Sequence, residues 1–193
     1  MRHRKLSKSL RNKRALGEAI SALIIVVASV LLSTIVVLLA MNVTASQVQK
    51  EKLFIASSHL WYANSTTSIA AIGITNIGST DSVITKITVN GLQSDWNGAS
   101  NYIVYYKVNG SLPGDLQFMG DISHTGNTII TISGQQCTFA PASEGLTIKS
   151  GYSIAFYIVI PNYILVQEIS MPMDIIITTT QAVYCTEDLV QTT

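Results

Sequence analysis

Lys13-Arg14-Ala15-Leu16-Gly17-Glu18-Ala19-Ile20-Ser21-Ala22-Leu23 opens an apolar run that continues unbroken through Leu38-Leu39-Ala40-Met41. No charged residue falls between Glu18 and Lys50. A helix crossing a bilayer needs about 20 predominantly apolar residues, and this stretch exceeds that. It is too long for the apolar region of an ordinary secretory signal, and no small-x-small cleavage motif follows it. The helix is therefore expected to stay with the mature protein, and any processing belongs at its other end.

Charge is distributed unevenly around this run. Arg2, Arg4, Lys5, Lys8, Arg11, Lys13 and Arg14 are seven of the twelve Lys and Arg, and no arginine follows Arg14. All eleven Asp and Glu lie at Glu18 or beyond. The overall charge of +1 averages a basic head with a remainder holding five basic and eleven acidic residues, a net of −6. Lys and Arg clustered beside an apolar helix stay on the cytoplasmic side, so residues beyond about 45 are expected outside. A basic segment can also serve nucleic acid. This one abuts a membrane helix and has no aromatic or Gly-rich recognition pattern, so no nucleic-acid partner is expected.

The segment Lys13-Arg14-Ala15-Leu16-Gly17-Glu18-Ala19-Ile20 resembles the class III signal peptide of archaeal type IV pilins and archaellins. The resemblance is strong over about residues 11–45. It is weaker over the β-rich remainder, in segments such as Ile74-Thr75-Asn76-Ile77-Gly78 and Ile87-Thr88-Val89-Asn90-Gly91. It implies a basic leader, residues 1–15, recognised through Lys13 and Arg14 and cut by a membrane aspartic peptidase between Ala15 and Leu16. Cutting between Gly17 and Glu18 is the second choice. It further implies a partner set of leader peptidase, pilus assembly machinery and copies of the same chain. The membrane holds the subunit before assembly, and the final location is an extracellular adhesive filament. In the better-known bacterial pattern a Glu in the first turns of the mature helix neutralises a neighbour's N-terminal amine. Glu18 would be third in the mature chain, a departure from that pattern; the first reading is a local role in complementing the helix dipole, and pairing with a neighbouring subunit is what the resemblance alone implies.

Residues 19–41 are apolar nearly all round, with only Ser21, Ser29, Ser33 and Thr34 as hydroxyls. A helix apolar on every side is buried on every side or lies in lipid. Ala19, Ala22, Ala28, Ser29 and Ser33 permit close approach of other helices. Residues 42–59 read as a more polar, amphipathic helical continuation, completing a helix-and-stalk segment over 16–59. The head is then residues 60–193, rich in β-branched residues and divided by turn signals such as Asn90-Gly91, Asn97-Gly98 and Pro113-Gly114. Strands are expected at 68–76, 82–90, 101–108, 127–133, 152–160 and 173–185. In 82–90, Val83, Ile87 and Val89 share one face, with Ile84, Lys86 and Thr88 on the other. The expected class is α+β: a long N-terminal helix, then an immunoglobulin-like β-sandwich of six or seven strands.

Cys137 and Cys185 are the only cysteines. Outside the cell they are free to form a disulfide, and the alternative is two buried thiols. Asn42, Asn64 and Asn109 each head an Asn-x-Ser/Thr triplet, and Asn64 and Asn109 fall in predicted outward loops as glycosylation acceptors should. Catalytic signatures are missing: there is no Gly-rich phosphate loop, His-Glu-x-x-His or Gly-x-Ser-x-Gly. Neither cysteine is followed by the His and Met of a copper loop, and Asp81, Asp95, Asp115 and Asp121 sit near turns, where Asp serves the backbone. No enzyme activity, metal or cofactor is expected. Trp96, in Ser94-Asp95-Trp96-Asn97-Gly98, is the candidate adhesive side chain. Two other functions remain compatible with the sequence: an archaellin-like motility filament, and an uncut anchored β-sandwich that binds sugar or another ligand.

Overall fold

A computed structural model describes residues 3–48, 50–65, 67–159 and 164–193, with side chains described from Leu16 to Val43 and again from Lys50 onward over those ranges. The chain divides into two compact units that meet after Val48. The first is a single helix, α1 (His3–Val48). Its middle is dominated by Ile, Val and Leu, and β-branched residues lower helix propensity in water. In hydrocarbon the preference reverses, because a lone segment can satisfy its backbone only as a helix. Neither Gly nor Pro interrupts residues 18–48.

The second unit is all β. Its strands are β1 (Leu53–Asn64), β2 (Thr67–Asn76), β3 (Ser82–Val89), β4 (Leu92–Gln93), β5 (Tyr102–Asn109), β6 (Thr128–Ile132), β7 (Gln135–Pro141), β8 (Leu146–Ile148), β9 (Tyr152–Val159), β10 (Pro172–Thr179) and β11 (Val183–Thr192). They join in one hydrogen-bonded path, β4-β3-β10-β11-β1-β2-β9-β5-β7-β6, with β8 added to β3. All described pairings are antiparallel except β1 with β11, which are parallel over Leu60–Tyr62 and Val190–Thr192. The α+β class with an all-β head therefore holds. Among the described residues ten strands lie on that path and β8 pairs beside it, against the six or seven expected in an immunoglobulin-like arrangement.

Two cores share the same central strands. Ile72 and Ile74 of β2 and Ile154 and Phe156 of β9 pack with Ile84 and Ile87 of β3 and Ile175 and Ile177 of β10. On the opposite faces, Ile69 and Ala71 of β2 and Ala155 and Tyr157 of β9 pack with Ile130, Cys137 and Phe139 of β6 and β7. Consequently Ser68–Ile74 and Ser153–Val159 are buried without a break. Strands covered on both faces read as apolar runs rather than as alternation. Each fully buried Ile or Phe contributes about 1.5–3 kcal/mol.

Three expectations are corrected here. The helix does not continue to His59: it ends by Val48, and Leu53 begins β1, so the boundary of the head lies near residue 49 rather than at 60. Leu53 and Ile55 join the first core as alternate strand residues, and a register shift between Ile55 and Ser57 disguises the period beyond them. In β3, a shift opposite Thr178 and Thr179 lets both Ile84 and Ile87 face inward, so the expected split of faces fails at Thr85. The span 173–185 is two strands, with a turn after Thr179. Where turn chemistry was explicit it was obeyed: Asn90 and Gly91 both take positive φ, 50° and 74°, as a two-residue hairpin of this type requires.

The long loop from β5 to β6, residues 110–127, is fastened to the sheet by phenols. Tyr157 Oη donates to the Gln117 carbonyl at 2.7 Å, and Tyr102 Oη donates to Ile122 at 2.6 Å. Leu116 and Ile122 of the same loop are buried in the second core. Burial, with the charge of Asp115 as a smaller cause, pushes the Tyr157 phenol from 10.0 up to about 12. Above pH 10 the unfolded chain ionises this group first, so stability present below pH 10 is lost as pH rises toward about 12. The loss is on the order of 2 kcal/mol. Tyr157→Phe should lower stability at neutral pH by about 1 kcal/mol. It should also flatten the alkaline decline in urea-melt midpoints, and an alkaline slope equal to wild type would contradict this assignment.

Candidate functional site

Lys13, Arg14 and Ala15 lie within α1, as do Leu16, Gly17 and Glu18. The side chains of the first three are outside the described residues, and those of Leu16 and Glu18 are exposed. Because the helix begins at His3, Glu18 sits several turns inside it, and its first turn holds no acidic residue. The macrodipole charge is concentrated at the terminal turn. Glu18 therefore has no helix terminus to complement while residues 3–15 precede it; a cut after Ala15 would bring it into the first turn.

Leu16–Val43 forms a 28-residue span with a hydropathy of 3.0, long and apolar enough to cross a membrane. At 1.5 Å per residue it measures about 42 Å, roughly 12 Å beyond a typical hydrocarbon core. Three of its hydroxyls make little demand on surroundings. Ser29 Oγ donates to the Val26 carbonyl at 2.8 Å, Ser33 Oγ to Val30 at 2.9 Å, and Thr34 Oγ1 to Val30 at 2.8 Å. Side chains from Leu16 through Val43 are exposed, including Ile24, Val27, Leu31, Val36 and Leu39.

In the head, the structure brings together a group that sequence reading did not. His59 Nε2 lies 2.9 Å from Asp115 Oδ1, and His59 Nδ1 lies 3.9 Å from Asp188 Oδ2. The ring stacks on Trp61 at 5.2 Å, and Trp61 meets Phe118 edge-on. His59 thus links β1 to the 110–127 loop and to β11. Beside it opens a cleft of about 700 Å³ lined by Phe54, Ser57, Ser111, Leu112 and Asp115 among others. Two glycines allow close approaches near it. A Cβ on Gly73 would stand 2.6 Å from Leu112 Cδ1 and 2.9 Å from Ser57 Oγ, so a larger residue there would make those side chains shift. A Cβ on Gly114 would collide with Ser133, so glycine here lets the loop lie against the β6–β7 turn. His59 was visible in sequence only as a lone histidine, because its partners lie 56 and 129 positions away.

The remaining sequence candidates separate. Asn42 is exposed on α1, while Asn64 and Asn109 are exposed at the last positions of β1 and β5. Trp96 is half-buried against the first core rather than exposed, and its carbonyl accepts the Ile103 amide at 3.2 Å. Asp81 accepts the Ser150 amide at 3.1 Å. Among the described residues no group of three or more His, Cys, Asp or Glu is placed to hold a metal ion. The Cys137–Cys185 bond is not formed, and both thiols are free. Cys137 is buried in β7 and Cys185 is exposed in β11, with β1, β2, β9 and β5 between those strands in the sheet order. A disulfide requires Cα atoms within about 7 Å. Burial, and then the neighbouring Cys137 thiol, raises the Tyr106 phenol above its ordinary value.

No protein-family model and no curated protein matches the chain.

Thiol chemistry checks this placement. Native protein should react with one equivalent of a water-soluble thiol reagent, at Cys185, and Cys137 should become reactive only on unfolding. Cys185→Ser should change stability by no more than about 0.5 kcal/mol. An oxidised Cys137–Cys185 pair in the peptide map would contradict it.

Proposed function

We propose that this chain is a structural subunit of an archaeal type IV pilus-like filament that serves adhesion to surfaces or cells. The observation that carries the reading is α1: a 28-residue apolar span, exposed throughout, that follows Lys13-Arg14-Ala15. Before assembly the span rests in the membrane with its basic leader in the cytoplasm. The leader peptidase removes residues 1–15, and the assembly machinery lifts the subunit out of lipid. The same surface must then leave hydrocarbon without meeting water, and packing against the helices of other copies satisfies that requirement.

The sequence of the span suits both environments. The hydroxyls of Ser29, Ser33 and Thr34 are bonded back to its own carbonyls, so neither lipid nor a neighbour must satisfy them. Ala19, Ala22, Ala28, Ser29 and Ser33 let helices approach closely. Its surplus of about 12 Å over the hydrocarbon core is more than an anchor needs, and adds packing length in a filament. On cleavage Glu18 gains both a helix terminus and a new amine from a neighbouring copy as partners. The head is carried outward, with Asn64 and Asn109 exposed for glycan attachment. The role is structural: the reading assigns no catalysis, metal or cofactor.

The mature N-terminus, determined by mass spectrometry on the sheared cell-surface fraction, tests this. The chain there should begin at Leu16, or at Glu18 if the second site is used. Ala15→Trp, which overfills a small-residue cleavage pocket, should leave the full-length chain in membranes and deplete the sheared fraction at least tenfold. An intact Met1 or Arg2 start confined to membranes would overturn the filament reading in favour of an uncut anchor.

A further inference from the structure

Phe54 is exposed by 56%, and among the described residues it is the one aromatic side chain that is exposed rather than half-buried or buried. It lines the cleft beside β1, together with Leu112, His59, Ser111 and Asp115. The cleft is therefore two-natured. Phe54 and Leu112 supply apolar surface, and Ser111 and Asp115 supply polar groups. Asp115 is held in place by its own chemistry: Oδ1 lies 2.9 Å from His59 Nε2 and accepts the Leu116 amide at 3.0 Å. That leaves Oδ2 as a fixed acceptor on a side chain that is 67% exposed. His59 is itself held between Asp115 and Asp188 and against Trp61.

We propose that this cleft binds a neutral sugar, one pyranose unit of a glycan. A pyranose presents an apolar face of C–H groups and a rim of hydroxyls. An aromatic ring carries negative charge density on its face and attracts such C–H groups. A carboxylate accepts hydroxyl hydrogens in charge-assisted bonds, which are about twice as strong as neutral ones. The cleft volume of about 700 Å³ falls within the range of small-molecule sites, roughly 300–1,000 Å³. No Lys or Arg lines it, so an anionic ligand such as a phosphate ester or sulfated glycan would find no counter-charge. The 110–127 loop fits the pattern too, since ordered loops of this length are uncommon unless they serve binding. The proposal goes beyond the filament reading and stands apart from it: a sugar site would operate on a cut, assembled chain or on an uncut anchored one.

The test uses the full chain in a detergent without a sugar headgroup. It is titrated with the methyl glycosides of glucose, galactose, mannose and N-acetylglucosamine, and binding is read by saturation-transfer NMR and calorimetry. At least one should bind saturably with a Kd on the order of 1 mM or tighter. Phe54→Ala and Asp115→Asn should each weaken that binding about tenfold or more, and Phe54→Ala should do so with thermal melting unchanged, because its side chain is exposed. Ile129→Ala, at an exposed position of β6, should bind as wild type does. Binding of none of the four glycosides, or binding that survives Phe54→Ala undiminished, would overturn the proposal.

Discussion

The structure depends on one constraint: a helical surface that carries no charge and is apolar nearly all round, from Ala19 to Met41, has no acceptable resting place in water. Each side chain left exposed forgoes about 1.5–3 kcal/mol of burial, and the span is apolar on all sides rather than along one stripe. On the proposed reading its surroundings come from outside the chain, first lipid and then other copies. The charge pattern follows the same constraint. Seven basic residues precede the span, and the acidic residues begin at Glu18.

The head is solved by a different device. A unit of this size with a single two-sided sandwich would leave the outer faces of its central strands wet. Here β2 and β9 are covered twice, by β3 and β10 on one side and by β6, β7 and the 110–127 loop on the other. The second cover depends on polar detail: two phenols donate to loop carbonyls, His59 ties the loop to β1, and Gly73 and Gly114 permit the close approaches. The cleft at Phe54 lies beside this cover. The loop that makes this cover also supplies Ser111, Leu112 and Asp115 to the cleft.

How much of this was legible in the sequence depended on how local the signal was. The span of α1, the strands 68–76, 101–108 and 152–160, and the Asn90-Gly91 turn were all readable from composition, period and turn chemistry. β1 was not, because Leu53, Ile55 and Ala56 fit a helical stripe as well as a strand with a bulge. Bulges have no sequence signature, and a second one reversed the face of Ile84. β7 left one usable trace, Cys137-Thr138-Phe139 alternating after the Ser133-Gly134 turn. Long-range facts were invisible. Nothing in the spacing of His59, Asp115 and Asp188 announces that they meet. Two cysteines in an outward-facing domain suggest a bond until the sheet order separates them. Trp96 in a polar, Gly-containing loop looked exposed, but it is packed against the first core.

The claim that one helical surface serves lipid first and filament core afterwards is tested most directly by its exposure to water. Single cysteines at Leu23, Ile24, Ile25 and Val26, in a Cys185→Ser background, would sample all sides of the helix, since successive residues are about 100° apart. Sheared cell-surface filaments would be treated with a water-soluble maleimide before and after dissociation. Read by peptide mapping, so that Cys137 exposed by denaturant is not counted, all four positions should be refractory in the intact filament and labelled once it is dissociated. Labelling of one side in the intact filament, or absence of the helix-bearing chain from the sheared fraction, would contradict it.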